Sequence, residues 1–163
     1  MTIEDLLSRE AIRDLMARYT IAGDRLRVED FLACFTHDAV IESERVPPDR
    51  LFRHEGRTAI RNWQERWRSA GEGAHGATFV RHHLSTSAVT LLGPDDAEAR
   101  TYWTAWTDIG PDHAGHYLDR LRKVDGAWLI AHRRIRLDWE APGSLFRSAV
   151  ANSADSSATA RNT

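Results

Sequence analysis

The chain has 163 residues, 42% hydrophobic and 28% charged, which suits one compact domain with a substantial core and argues against two. Its 22 basic and 24 acidic residues are interspersed and give a formal net charge of -2, so the basic stripe expected of a nucleic-acid binder is missing. One cysteine, Cys34, excludes an intrachain disulfide and the paired-cysteine zinc patterns, and no window approaches the roughly 20 apolar residues of a membrane span.

Residues 1–5 lack the basic region and apolar run of a secretion signal, so a soluble, cytoplasmic protein is expected, with neither membrane nor nucleic acid as partner. Across residues 3–26, Leu7, Ile12, Leu15, Met16, Tyr19, Ala22 and Gly23 recur at three- and four-residue steps. That spacing predicts a helix with one buried stripe, and Glu10, Arg13, Asp14 and Arg18 take its other face. A second helix fits residues 28–35, with Phe31, Leu32 and Phe35 on one side, and the Thr36-His37-Asp38 turn leads to a short strand at 39–42. Pro47-Pro48 opens a loop, and a third helix fits residues 56–69, where Ile60, Trp63 and Trp67 share a face.

Residues 71–76 read as a glycine-rich loop, after which the period shifts toward 2. Strand-like runs follow at 77–92, 97–109 and 115–124, and then at 127–139 after Asp125-Gly126, a strong hairpin signal. Alternation makes Arg133-Arg134-Ile135-Arg136 a solvated face, and Asp119 is expected to pair with Arg133 or Arg134 across the hairpin. From Gly143 onward Ser, Ala, Asn and Thr dominate, so residues 1–142 form the domain and 143–163 a mobile extension. Leu145 and Phe146 could dock against the body or a partner subunit. Helices followed by an antiparallel meander predict an α+β fold, with the helices closing one mouth of a bent sheet and its concave face forming a pocket.

Several side chains are candidates for chemistry. Asp24 ends the first helix, where the macrodipole disfavours a carboxylate, and taken alone it reads as a surface residue paired with Arg25 or Arg27. His82 and His83 are neighbours on a strand and must point to opposite faces. His82 falls in step with the apolar Val80 and Leu84, and His83 with Arg81 and Ser85, so His82 is the one expected to look inward. Tyr102, Trp106 and Asp108 alternate onto one side of the second run, as in a pocket wall that stacks a planar substrate or as in ordinary sheet packing. His116 could touch substrate, support the site from behind, or sit at a rim.

Eight histidines invite a metal, but no H-x-x-x-H or H-x-x-E-H motif is present, and no catalytic metal is expected. There is no G-x-S-x-G elbow, Cys34 has no obvious base beside it, and Gly71, Gly73 and Gly76 do not build a phosphate loop.

The run Ala11-Ile12-Arg13-Asp14-Leu15 through Tyr19 to Asp24, then Phe31, Phe35-Thr36-His37-Asp38-Ala39, Arg81-His82-His83-Leu84, His116-Tyr117 and Asp125-Gly126-Ala127-Trp128, is an ordered set. It resembles the SnoaL-like branch of the nuclear transport factor 2-like superfamily over residues 3–140. The resemblance implies a cone-shaped α+β barrel around an apolar cavity, as in scytalone dehydratase, bile acid dehydratases, lindane dehydrochlorinase, polyketide cyclases and steroid isomerases. It also implies that Asp24 pairs with His82 as an acid/base dyad, with Tyr19 one turn before the aspartate as a further catalytic group.

The function expected is a cofactor-independent lyase of dehydratase type, acting on a small apolar, aromatic or polycyclic metabolite. Asp24, His82 and Tyr19 would be its catalytic residues, and Tyr102, Trp106, Asp108 and His116 would contact substrate. A polyketide cyclase or steroid-type isomerase using the same pocket is the alternative, and a non-catalytic ligand-binding or assembly module is the other. A sheet face carrying Trp128 and Trp139 suggests a homodimer or homotrimer.

Overall fold

The computed structural model describes residues 1–46, 48–70 and 77–146. Helix α1 (Ile3–Asp24) opens on a capping box between Thr2 and Asp5, and short α2 (Val28–Leu32) follows it. Strand β1 (Phe35–Glu44), a 3-10 turn (Pro48–Arg50) and the short strand β2 (Arg53–Glu55) lead into α3 (Gly56–Ala70). The rest is a meander of β3 (Arg81–Leu91), β4 (Asp96–Thr107), β5 (Gly110–Val124) and β6 (Ala127–Glu140). The six strands form one curved sheet in the order β2-β1-β6-β5-β4-β3, antiparallel except where β1 runs parallel to β6, and the sheet is not closed.

The helices pack on the inner face of this sheet. The α1 stripe is buried from Ile12 through Leu15, Met16 and Tyr19 to Ala22, together with Phe31, Phe35, Ile41, Ile60, Leu121 and Ile130, whereas Leu7, one step earlier in the expected stripe, is exposed. Each fully buried Leu, Ile or Phe contributes about 1.5–3 kcal/mol. Register shifts at Leu84/Ser87, Ala105/Trp106, Ala114/Gly115 and Arg120/Leu121 interrupt the ladders and bend the strands around the helices. The Asp125-Gly126 hairpin has positive φ at both residues, the geometry its sequence demands.

Two boundaries differ from the sequence reading in ways that move side chains. Strand β1 starts at Phe35, not residue 39, because Phe35 pairs with Ile130 of β6 and the Cys34 carbonyl accepts the Ile130 amide. Strand β5 starts at Gly110, not residue 115, because Asp108 and Ile109 make a tight turn and His113 pairs with Ala105 on one side and Glu140 on the other. The 3-10 turn and β2 were not anticipated.

The charged stretch of β6 is also not wholly solvated. Arg134 and Arg136 point outward to Glu44, but Arg133 is fully buried on the inner face. It donates twice to Asp119, at 2.7 and 2.8 Å, and lies 3.9 Å from the Tyr19 ring and 4.1 Å from that of Tyr117. Burial disfavours the guanidinium, but Asp119 outweighs it and holds the Arg133 pKa above its usual value, so the charge is permanent. Residues 147–163 of the expected extension lie outside the described residues, whereas residues 141–146 pack against the body.

Candidate active site

Asp24 is the last residue of α1, and the chain then reverses through Arg25 and Leu26, the latter at φ 51°. This turn carries the Asp24 carboxylate onto the start of β3. Its Oδ2 accepts the His82 backbone amide at 2.9 Å, and its Oδ1 lies 2.6 Å from His82 Nδ1. Two donors replace the water that a carboxylate at a helix C-terminus would otherwise require. The Asp24 side chain is only 7% exposed, whereas that of His82 is 27% exposed. The carboxylate oxygen at this distance favours the tautomer with its hydrogen on Nδ1, which leaves Nε2, without a protein partner among the described residues, as the bare nitrogen.

His82 pairs with Ala105 and shares the inner face with Leu84, while His83 is turned outward against Trp106. The imidazole of His82 meets the Trp103 ring edge-on at 5.8 Å and that of His113 at 6.2 Å, with the two imidazole planes 85° apart. Trp103 fits over β5 because Gly115 has no side chain: a Cβ there would come within 1.9 Å of the Arg136 carbonyl oxygen and 2.8 Å of the indole.

His113 forms a second carboxylate–imidazole pair, which the sequence reading left in a loop. Its Nδ1 is 2.7 Å from Asp112 Oδ1, and both residues are buried. The Asp112 carboxylate also accepts the hydroxyls of Thr107 and Ser144 and the amide of Leu145. Burial would raise the Asp112 pKa, but the hydrogen bonds from Ser144, His113 and Leu145 outweigh it and hold the carboxyl below its ordinary range. Burial pushes the His113 imidazole down; Asp112 opposes this only in part, and nearby His82 adds to it. His113 is therefore held in its uncharged form.

The other anticipated residues are placed elsewhere. Tyr19 is buried in the core between Arg133, Phe31, Phe35 and Tyr117, and makes no hydrogen bond to Asp24 or His82. Burial raises its pKa, with Arg133 opposing. Tyr102, Trp106 and Asp108 alternate together, as read, but onto the outer face: their inward neighbours are Ala97, Ala99, Thr101, Trp103 and Ala105. A run of small residues around one large ring fits beneath helices where Tyr102 and Trp106 could not. These two rings remain 42% exposed each, and Asp108 instead receives the amide and hydroxyl of Thr78, which lower its pKa. His116 is also on the outer face, buried under Tyr102 and bound through Nδ1 to Asp138 at 2.7 Å. Trp128 is an inner-face core residue, so only Trp139 of the two named sheet tryptophans is exposed. An open groove of about 210 Å³ on the outer face, among Arg100, Arg120, His132 and Arg134, is likewise remote from both pairs.

This constellation suits proton transfer. Among the described residues no group of three or more His, Cys, Asp or Glu side chains is arranged to hold a metal ion. Cys34 is buried, its thiol pushed up by desolvation, and it donates to the Asp30 carbonyl, so it is no nucleophile. No described helix is long and apolar enough to cross a membrane.

The model of the SnoaL-like domain family matches residues 4–134. No curated protein matches the chain. Among solved structures, a candidate scytalone dehydratase from Novosphingobium aromaticivorans is 26% identical at a TM-score of 0.68, covering 86% of this chain and 91% of that one. A Mycobacterium tuberculosis protein of unknown function is 25% identical at a TM-score of 0.72, covering 93% and 91%. A hexachlorocyclohexane dehydrochlorinase from Novosphingobium barchaimii, 16% identical at a TM-score of 0.68 over 86% and 92%, shares the fold.

Proposed function

The chain belongs to the SnoaL-like domain family, and on that premise we propose that it is a cofactor-independent lyase that eliminates water from a small, largely apolar or aromatic metabolite. The observation that carries this reading is the 2.6 Å contact between His82 Nδ1 and the buried Asp24 carboxylate, with the imidazole still partly open.

In the reaction, uncharged His82 removes a proton through Nε2 from the carbon beside the substrate's activating group. The released electron pair forms the carbon–carbon double bond and expels the hydroxyl from the adjacent carbon, and that oxygen takes the proton back from His82 and departs as water. Asp24 fixes the imidazole and stabilises the imidazolium formed on the way. His113, uncharged, accepts the hydrogen of the substrate hydroxyl through its own Nε2 and so orients the leaving group. Acid/base catalysis of this kind supplies roughly 10²–10⁴ in rate, and positioning supplies the remainder.

A panel of aryl-substituted β-hydroxy ketones tests the reading: the expected product is lighter by one water, and Asp24→Asn and His82→Ala lose most turnover while keeping their circular dichroism. A product of unchanged mass would move the assignment to an isomerase or cyclase, and near-normal turnover in either variant would remove the dyad. The exposed rings of Tyr102, Trp106 and Trp139 support self-association as a homodimer or homotrimer through the outer face. A monomer in analytical ultracentrifugation would rule that out.

A further inference from the structure

The Asp112 carboxylate has about four lone-pair directions, and four donors fill them. Oδ1 takes His113 Nδ1 at 2.7 Å and Ser144 Oγ at 2.5 Å, and Oδ2 takes Thr107 Oγ1 at 3.1 Å and the Leu145 amide at 2.8 Å. Two of the four come from residues 141–146, a segment beyond the last strand. The same segment donates the Ala141 amide to the Asp112 carbonyl at 2.8 Å. Its Phe146 ring stacks on the His113 imidazole at a centroid distance of 4.6 Å, the planes inclined by 28°, and also stacks on Trp67 of α3. Asp112 is fully buried, and among the described residues these four donors are the hydrogen-bond partners of its carboxylate.

We infer that residues 141–146 are a positioning element of the site: Ser144, the Leu145 amide and Phe146 fix the Asp112 carboxylate and the His113 ring so that His113 is held as the Nδ1–H tautomer. In water a free imidazole prefers the Nε2–H form, in which Nε2 is a donor and cannot accept. With the other three donors holding the Asp112 carboxylate against Nδ1 at 2.7 Å, Nδ1 is the nitrogen that donates, and Nε2 is left as the acceptor on a ring 6.2 Å from that of His82. Remove the Ser144 hydroxyl and water can take its place on Oδ1; remove the Phe146 ring and the imidazole is free to turn. Either change allows the other tautomer. The titratable groups facing His113 are Asp112 on its own strand, His82 on β3 and Glu140 on β6. Glu140 makes two hydrogen bonds to Arg50, whereas the Asp112 carboxylate is in direct contact with Nδ1.

The inference rests on the elimination reading only for the use made of that acceptor; the tautomer is measured without substrate. Histidine-labelled protein, in two-bond proton–nitrogen correlation spectra at neutral pH, should show His113 with a protonated Nδ1 and a bare Nε2. In Ser144→Ala and Phe146→Ala the His113 pattern should become a mixture of tautomers while that of His82 stays unchanged, which also reports that the fold survives. Ser144→Thr, retaining a hydroxyl, should restore the single tautomer. An unaltered His113 pattern in both alanine variants, or an Nε2–H form in the unmodified chain, would overturn the inference. His113→Gln with undiminished turnover would instead strike the elimination reading and leave the tautomer result standing.

Discussion

The two carboxylate–imidazole pairs have the same chemical parts and nearly the same contact distance, 2.6 Å for Asp24–His82 and 2.7 Å for Asp112–His113, yet their surroundings differ. Asp24 and His82 are 58 residues apart, joined where a helix end meets a strand start, and the imidazole keeps an open side. Asp112 and His113 are chain neighbours, sealed by Thr107, Ser144, Leu145 and Phe146. The more exposed imidazole suits the proposed proton transfer; the more buried one, disfavoured as a cation, suits the proposed hydrogen-bond acceptor. Burial, more than the pairing itself, separates the roles.

Substitutions can break that contrast in order of effect. The largest is expected from His82→Ala and Asp24→Asn, each lowering turnover by about 10²–10⁴ with little change in urea midpoint. The sealed pair should show the reverse emphasis. Asp112→Ala strands three buried donors and the half-buried Leu145 amide and should cost about 3 kcal/mol or more in urea unfolding, since each orphaned group is worth roughly 1–3 kcal/mol. If Asp112→Ala unfolds no more easily than Asp24→Ala, the two pairs do not differ in the way proposed.

The pH dependence is smaller but has a definite sign. The folded-state pKa of His113 is depressed, so below the unfolded value of about 6.5 the unfolded chain binds more protons and stability falls. Asp112, also depressed, loses its contribution at lower pH still, as it is titrated through its folded value. Stability of the wild type should therefore decline from pH 7 to pH 5.5 more steeply than that of His113→Gln; parallel curves would show that His113 is not held uncharged. The smallest effect is expected at the outer face, where Trp106→Ala should leave turnover within about twofold and stability within about 0.5 kcal/mol. A large loss of turnover would return Trp106 to the site.

Much of this was legible in the chain. The α1 stripe, the order of the meander and the inward choice of His82 follow from period and neighbours, because Val80 and Leu84 disclose which way the strand faces. The partnership of Asp24 with His82 does not follow from spacing: nothing local shows that the turn after α1 folds a carboxylate onto a strand far along the sequence, and it was the family resemblance that suggested the pair. In β4 the aromatic rings suggest a pocket side as readily as ordinary packing, and it is the alternating alanines that mark the face accommodating the helices. His113 was lost to a boundary. Had the alternation of Gly115, Tyr117 and Asp119 been carried two residues back, His113 would have fallen on the same face, but Gly110 and Pro111 look like a loop. The supports from residues 141–146 are visible only in three dimensions, since nothing in a Ser-Leu-Phe sequence points to a carboxylate thirty residues earlier.

One feature of the first pair bears on more than catalysis. Strand β3 is a terminal strand of the open sheet, so its outward amides and carbonyls could recruit a strand from another molecule. Asp24 occupies the His82 amide on that border, at 2.9 Å, and puts a negative charge there. The residue proposed to steady the base thus also caps one of the amides through which the open sheet could be extended.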